Sequence, residues 1–241
     1  RGCNTLVLPM VVDPDTPKWR AVRSSSRNDP RRFVYAGSPG ARMRKDCLQL
    51  VVQAFASAKR CGSEFVFTIV GITASQFLEG FPLLESDLRV LDGSIAFLGR
   101  VPHRAAIQQI SQSDFSVFLR PLNRVTQSGF PMKVAEAFAC GIPTIANNTS
   151  DLGVHIHDGE NGFLLEAPDP HELQRVIEKA LALTAEELEA MKASCISENP
   201  FSPDKFRTAF GEFLERARRP CRRRQQIPRL LEALVTPVLS K

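Results

Sequence analysis

The amino-acid sequence predicts an α/β domain: a Rossmann-like parallel sheet with helices on both faces. Three observations lead there. Short apolar runs of strand length alternate with stretches of helical periodicity through most of the 241 residues, and such alternation folds as strand–helix–strand units. Some runs, Glu64–Val70 above all, are apolar at successive positions, as strands buried on both faces are. The connections are short, with glycine closing candidate helices and proline or a polar cap opening them.

The elements follow in order. Thr5 to Val12 is an apolar run stopped by Asp13-Pro14 and predicts a strand. Asp13 to Arg31 is rich in Pro, Ser, Arg and Asp and predicts a linker, with Trp19 in it carrying no pattern. Arg32–Ala36 predicts a strand, followed by a Gly/Pro loop at 37–40. Lys45–Arg60 predicts a helix with Leu48, Val51, Val52 and Phe55 on one face. The strand at Glu64–Val70 leads to a helix near 73–79 and then an irregular stretch. Ile95–Leu98 and Phe115–Leu119 predict strands around a helix at Pro102–Ser111. Pro131–Cys140 predicts a helix closed by Gly141, and Pro143–Ala146 and Gly162–Leu165 predict strands. Asp169-Pro-His-Glu172 and Thr184-Ala-Glu-Glu187 have the capping-box pattern, and Ser202-Pro203 opens a further helix. Parallel sheets bind ligands at the carboxyl ends of their strands, so the loops at 37–45, 71–76, 98–102, 120–131 and 146–152 are the candidate site.

Composition narrows the function. Hydrophobic residues are 43% and charged residues 24%, as in ordinary soluble globular chains. No window approaches the run of about 18 apolar residues of a transmembrane helix. The net charge is +5, but residues 216–241 hold eight basic groups against one acid. The rest of the chain is therefore slightly acidic, which excludes a nucleic-acid-binding surface there. The six cysteines contain no C-x-x-C pair and predict small buried thiols in a reducing, cytoplasmic compartment. The chain starts at Arg1, which predicts a start partway through a longer protein.

The loop Gly37-Ser38-Pro39-Gly40-Ala41-Arg42-Met43-Arg44-Lys45 offers two glycines, three cations and a following helix N-terminus. That is a weak phosphate signature; the G-x-x-x-x-G-K-[ST] and G-x-G-x-x-G patterns are both absent. The densest segment runs from Phe115 to Pro143. It places Arg120 at a strand end, Ser128 and Gly129 in a loop, and Lys133 and Glu136 on the next helix. A carboxylate among Val134, Ala135, Ala137 and Phe138 is costly to bury unpaired. Spacing alone leaves it either accepting from a ribose diol or pairing with a nearby Lys or Arg. Among the histidines, His155 and His157 are too close in sequence to face one metal on a helix, and His103 and His171 read as surface residues.

These segments together resemble the donor site of family-4-like glycosyltransferases with the GT-B fold, most like the bacterial branch that builds capsule and other surface polysaccharides. The matching residues are Phe118-Leu-Arg120-Pro, Gly129-Phe-Pro-Met-Lys133-Val-Ala-Glu136, Ala139-Cys-Gly141-Ile-Pro143, Thr149-Ser-Asp151-Leu-Gly153 and Asp158-Gly-Glu-Asn-Gly162. Tyr35–Asp46, Phe97–Val101 and Asp114–Ser116 match upstream, so the resemblance spans about residues 30–185. It implies the C-terminal half of a GT-B fold. Residues 1–31 would then be a linker and strand from a missing N-terminal domain, 32–200 the nucleotide-sugar-binding domain, and 201–241 a C-terminal helix and basic tail.

The resemblance implies transfer with retention from a nucleoside-diphosphate sugar, without cofactor or metal, to a saccharide or lipid-linked acceptor held by the missing domain. Glu136, Lys45 and Arg120 are expected to carry catalysis. Glu136 matches the second Glu of the family's paired motif and would hold the ribose. Lys45 matches the lysine that neutralises the diphosphate. The arginine usual after the first loop glycine is Ser38 here, so Arg42, Arg44 or Arg120 would compensate. Gly37, Ser38, Gly40, Arg42, Lys133 and the backbone at Gly129, Phe130 and Met132 are expected to meet the donor, and Arg100 and Val101 the base. Ser128 stands where the family has its first Glu and brings no charge to the sugar there. The basic tail suggests peripheral contact with the inner face of the cell membrane, weighed against a solvated arm. The competing functions are a nucleotide-sugar epimerase on the same scaffold and a degenerate binding subunit without activity.

Overall fold

The computed structural model describes residues 5–8, 10–19, 30–40 and 45–218. The chain divides into two compact units, one made of Arg1–Leu8 with Pro203–Lys241 and the other of Pro9–Ser202. In the first, a 3-10 turn at Pro203–Lys205 precedes a helix at Arg207–Arg218. Its basic tail beyond Arg218, with Arg219, Arg222, Arg223 and Arg224, lies outside the described residues.

The second unit holds six strands: β1 (Arg31–Ala36), β2 (Phe65–Val70), β3 (Ile95–Phe97), β4 (Phe115–Phe118), β5 (Thr144–Asn147) and β6 (Gly162–Leu165). All pair in parallel in the order β3-β2-β1-β4-β5-β6. The Rossmann-like α/β fold predicted from the sequence is present. Its helices are α1 (Leu48–Arg60), α2 (Ala74–Gly80), α3 (Glu85–Val90), α4 (His103–Ser111), α5 (Arg124–Ser128), α6 (Met132–Ala139), α7 (Leu152–His155), α8 (Pro170–Ala182) and α9 (Ala185–Ser197).

Successive residues of β1 face opposite ways and feed two separate cores. Phe33 and Tyr35 join Phe55, Phe65, Phe67 and Ile69 on the α1 side. Val34 joins Val70, Ile107, Ile110 and Ala137 on the other. On the first side Phe55 stacks on Phe67 with centroids 4.2 Å apart and meets Phe33 edge-on at 5.1 Å, geometries that add about 0.5–1.5 kcal/mol per pair beyond burial. Strands β4 and β5 are buried at every position, including Ser116, Thr144 and Asn147.

Several expectations need correction. Thr5 to Val12 forms no strand among its described residues; Val12 N–H donates instead to Phe201 O at 2.9 Å. The predicted helix start at Lys45 moves to Leu48, because Cys47 N–H is drawn across to Leu119 O at 2.7 Å, beyond the end of β4. The short helices α3, α5 and α7 escape sequence periodicity because none exceeds about two turns. Cys47, Cys140 and Cys195 are buried as predicted, but Cys61 is exposed just after α1; Cys3 and Cys221 lie outside the described residues. Trp19 is not idle linker. A 3-10 turn at Pro17–Trp19 folds its indole into the second core, beside Val34 and Ile107, at 6% exposure.

Among the described residues the buried Trp19 indole N–H meets no hydrogen-bond acceptor, and the ring fills volume in the second core. Trp19→Ala is expected to cost about 3–5 kcal/mol and Trp19→Phe clearly less. Urea unfolding followed by far-ultraviolet circular dichroism measures both.

Candidate functional site

The strand order reverses between β1 and β4, and the crevice outside the carboxyl ends of such neighbours is the natural ligand position. A cavity of about 950 Å3 opens beside it, at the carboxyl ends of β1 and β2. Gly37, Ser38, Pro39 and Gly40 line it from the loop after β1, and Gly71 and Ile72 from the loop after β2. Gln76 and Glu79 of α2 and Arg100, Val101 and His103 before and in α4 complete much of the wall. The loops are tied by backbone bonds: Gly37 N–H to Val70 O at 3.0 Å and Gly71 N–H to Gly99 O at 2.8 Å. Gly71 has φ +119°, and a side chain there would be driven into the carbonyl of Gly37, so the close approach of the two loops requires glycine.

Beside this mouth lies a buried charge cluster built on Asp46, which is 1% exposed. Its Oδ2 accepts from Lys133 Nζ at 2.6 Å and from the Tyr35 hydroxyl at 2.7 Å, and its Oδ1 from Arg120 Nε at 3.3 Å. Tyr35 sits on β1, Arg120 just past β4 and Lys133 in the first turn of α6, so one carboxylate ties the two strands at the switch point to the following helix. Arg120 is itself fixed. Its Nη1 donates to Gly129 O at 2.7 Å, and its backbone exchanges two bonds with the Asn147 amide at 2.7 and 3.1 Å. The Lys133 ammonium lies over the Tyr35 and Phe118 rings, 4.3 and 4.9 Å from their centroids. It also borders the mouth: a methyl group on Gly37 would stand 3.2 Å from Lys133 Nζ.

Two cations share one carboxylate, so the cluster carries excess positive charge. Burial works to raise the Asp46 carboxyl, but the charge and hydrogen bond of Lys133, the Tyr35 bond and Arg120 outweigh it and hold the group below its ordinary value of 3.8. Lys133 is lowered, first by burial and then by repulsion from Arg120 and Lys45, although Asp46 opposes this. Tyr35 is raised well above 10.0 by burial and by Asp46. A depressed lysine held among other cations is an environment that an anion would stabilise.

Glu136 lies one turn beyond Lys133 on α6, about three-quarters buried. Its Oε1 is 3.1 Å from His103 Nε2, and His103 lines the cavity. The predicted residues therefore converge as follows. Gly37, Ser38, Gly40, Arg100 and Val101 line one cavity, Glu136 reaches it through His103, and Lys133 and Arg120 sit behind Gly37. The half-exposed Met132 opens α6, which no side chain caps, and Phe130 packs its ring on Phe201 and His155. Lys45 is exposed beside Gly40, its amide bonded to Pro39 O at 2.8 Å. Arg42 and Arg44 lie outside the described residues. Ser128 does not join the group, because its hydroxyl donates to Arg124 O at 2.7 Å within α5.

Two expectations change. His103 is a cavity residue bonded to Glu136, and not a plain surface histidine. Glu136 is paired with that histidine, where the sequence offered a Lys or Arg. Asp46 and Tyr35 received no role from sequence although both fall in a matching segment; Lys133, the nearest partner of Asp46, is 87 positions away. Among the described residues no group of three or more His, Cys, Asp or Glu is placed to hold a metal, and no helix is long and apolar enough to cross a membrane.

A parallel sheet in this order, with a net-positive cluster and a carboxylate at its switch point, defines a Rossmann-like domain of the GT-B kind. The chain belongs to the glycosyl transferases group 1 family, whose model matches residues 30–182. Solved structures share the fold. HepE from Anabaena, in complex with UDP and glucose, aligns with TM-score 0.58 at 18% identity over 77% of this chain and 48% of its own. A glycosyltransferase from Rickettsia africae aligns with TM-score 0.66 at 15% identity, over 89% and 57%. Sucrose-phosphate synthase from Thermosynechococcus elongatus aligns with TM-score 0.60 at 17%, over 87% and 51%. The chain thus spans about half the length of these solved chains. No curated protein sequence matches it significantly.

Removing one member of a buried ion pair leaves the others uncompensated, which costs about 3–5 kcal/mol. Asp46→Asn is expected to lose that much in urea unfolding at neutral pH. The folded carboxyl of Asp46 lies below the unfolded value. Its contribution is thus complete above the unfolded value and disappears as pH falls through the folded one. The variant should therefore lose less stability on acidification than the wild type over that window.

Proposed function

We propose that this chain is the donor-holding domain of a retaining glycosyltransferase that takes a nucleoside-diphosphate hexose. The observation that carries the reading is a cation cluster and a carboxylate, one turn apart on α6, that both border the cavity. The Asp46-held Lys133 lies behind the loop at Gly37–Gly40, and the Glu136 carboxylate is bonded to the cavity residue His103. A diphosphate suits the first and a ribose diol the second. The HepE structure, which shares the fold and contains UDP and glucose, supports a ligand of this class.

In this reading the chemistry the domain supplies is electrostatic. As the anomeric bond breaks, negative charge gathers on the departing diphosphate. Lys133, Arg120 and Lys45 and the uncapped first turn of α6 are fixed donors for that charge and need no reorganisation or metal. Met132 and Gly129 offer backbone amides near the sugar. The acceptor, a polysaccharide or lipid-linked saccharide, is proposed to be held by a further domain at the cytoplasmic face of a membrane. The basic residues 216–241 would add electrostatic attraction there.

A second reading is a binding subunit without transfer. The Ser128 hydroxyl favours it, since it is turned onto Arg124 O and supplies neither charge nor contact to a sugar. Titration calorimetry with nucleoside diphosphates, together with an assay of sugar transfer, separates the readings. Glu136→Ala is expected to weaken nucleoside diphosphate binding by about 1–3 kcal/mol, the scale of hydrogen bonds to a charged group. Unchanged affinity would make Glu136 a structural residue. The 241-residue chain is expected to bind donor weakly and transfer little; robust turnover by it alone would contradict the two-domain reading.

A further inference from the structure

Glu136 is held from a second helix. His103 is the first residue of α4, and its imidazole reaches across to α6, with Nε2 3.1 Å from Glu136 Oε1. An ionised carboxylate has no proton to give, so the imidazole is the donor. The histidine side chain is 60% exposed and the glutamate 23%. A pair that open to water contributes little to folding stability, so stability gives no reason for its presence. Its position does, because His103 lines the cavity with Arg100 and Val101.

A vicinal diol is accepted best when both oxygens of the carboxylate are presented in a fixed plane. The last torsion of a glutamate side chain is broad and roughly two-fold, so an unsupported Glu136 would sample many planes. A donor on Oε1 from a separate element removes most of that freedom. It occupies one acceptor position of Oε1 and leaves the rest of Oε1 and all of Oε2 available.

We propose that His103 is a positioning residue for Glu136, and that their bond sets the selectivity of the cavity for ribose over deoxyribose. The proposal rests on the reading of Glu136 as the acceptor for the ribose diol. The same bond joins a lining residue of the cavity to α6, so the ribose sees a carboxylate oriented before it arrives.

The test uses the 241-residue chain in titration calorimetry with adenosine, guanosine, cytidine and uridine diphosphates. The tightest binder is then compared with its 2′-deoxy counterpart. The wild type is expected to prefer the ribo form. His103→Ala should shrink that preference by about three- to tenfold, the loss expected for one hydrogen bond, with the melting temperature unchanged. His103→Gln, which keeps an N–H donor, should recover the preference. An unaltered preference in a folded His103→Ala variant overturns the proposal while leaving Glu136 in its role. A wild type that binds none of the diphosphates, or binds ribo and deoxy forms alike, overturns the reading of Glu136 and the proposal with it.

Discussion

A single buried carboxylate, Asp46, organises the mouth of this sheet. Charges are expensive to bury, and an ion pair inside a protein persists only when its geometry and remaining hydrogen bonds are satisfied. Asp46 meets that condition with three donors, one from each of Tyr35, Arg120 and Lys133. Those residues belong to β1, the end of β4 and the start of α6, which are the three elements that bound the switch-point crevice. The bond network therefore fixes the relative position of those elements as well as the charge between them.

The imbalance in the cluster is what connects fold to chemistry. A buried group of one anion and two cations is incomplete, and Lys133 in it has a lowered affinity for its proton, first through burial and then through repulsion from Arg120 and Lys45. Gly37 and Gly71 allow the backbone to approach closely above it. The result is a positive field focused at a cavity with little polar side-chain bulk in the way. One turn beyond Lys133 on α6, Glu136 meets His103 of α4, so a carboxylate stands close to the cations at the edge of the same cavity.

Much of this was legible in sequence. Strands such as β2 and β4 are short runs apolar at most positions, and capped helices such as α9, opened by Thr184 and Glu187, declare their own starts. The ordered segments from Phe115 to Gly162 marked the family. What remained hidden depends on contacts between distant positions. The bond from Cys47 N–H to Leu119 O moves a helix start and turns Asp46 inward, and no local pattern encodes it. Trp19 looks like linker because only the folded sheet supplies its pocket. Asp46 with Lys133, and His103 with Glu136, are pairs whose members appear separately as an ordinary acid, a cation in a first helical turn, a surface histidine and an odd glutamate. Their meaning arises only when the parallel topology stacks their loops side by side.

If the incomplete cluster beside Gly37 is the anion site, Lys133 should report the arrival of phosphate directly. Nuclear magnetic resonance of lysine-labelled protein can follow the Lys133 side chain through a pH titration with and without a saturating nucleoside diphosphate. The account predicts a midpoint below that of an ordinary lysine in the free chain and a clear upward move in the complex. A midpoint indifferent to the ligand would show that the cations held by Asp46 do not face the diphosphate, and would contradict the account.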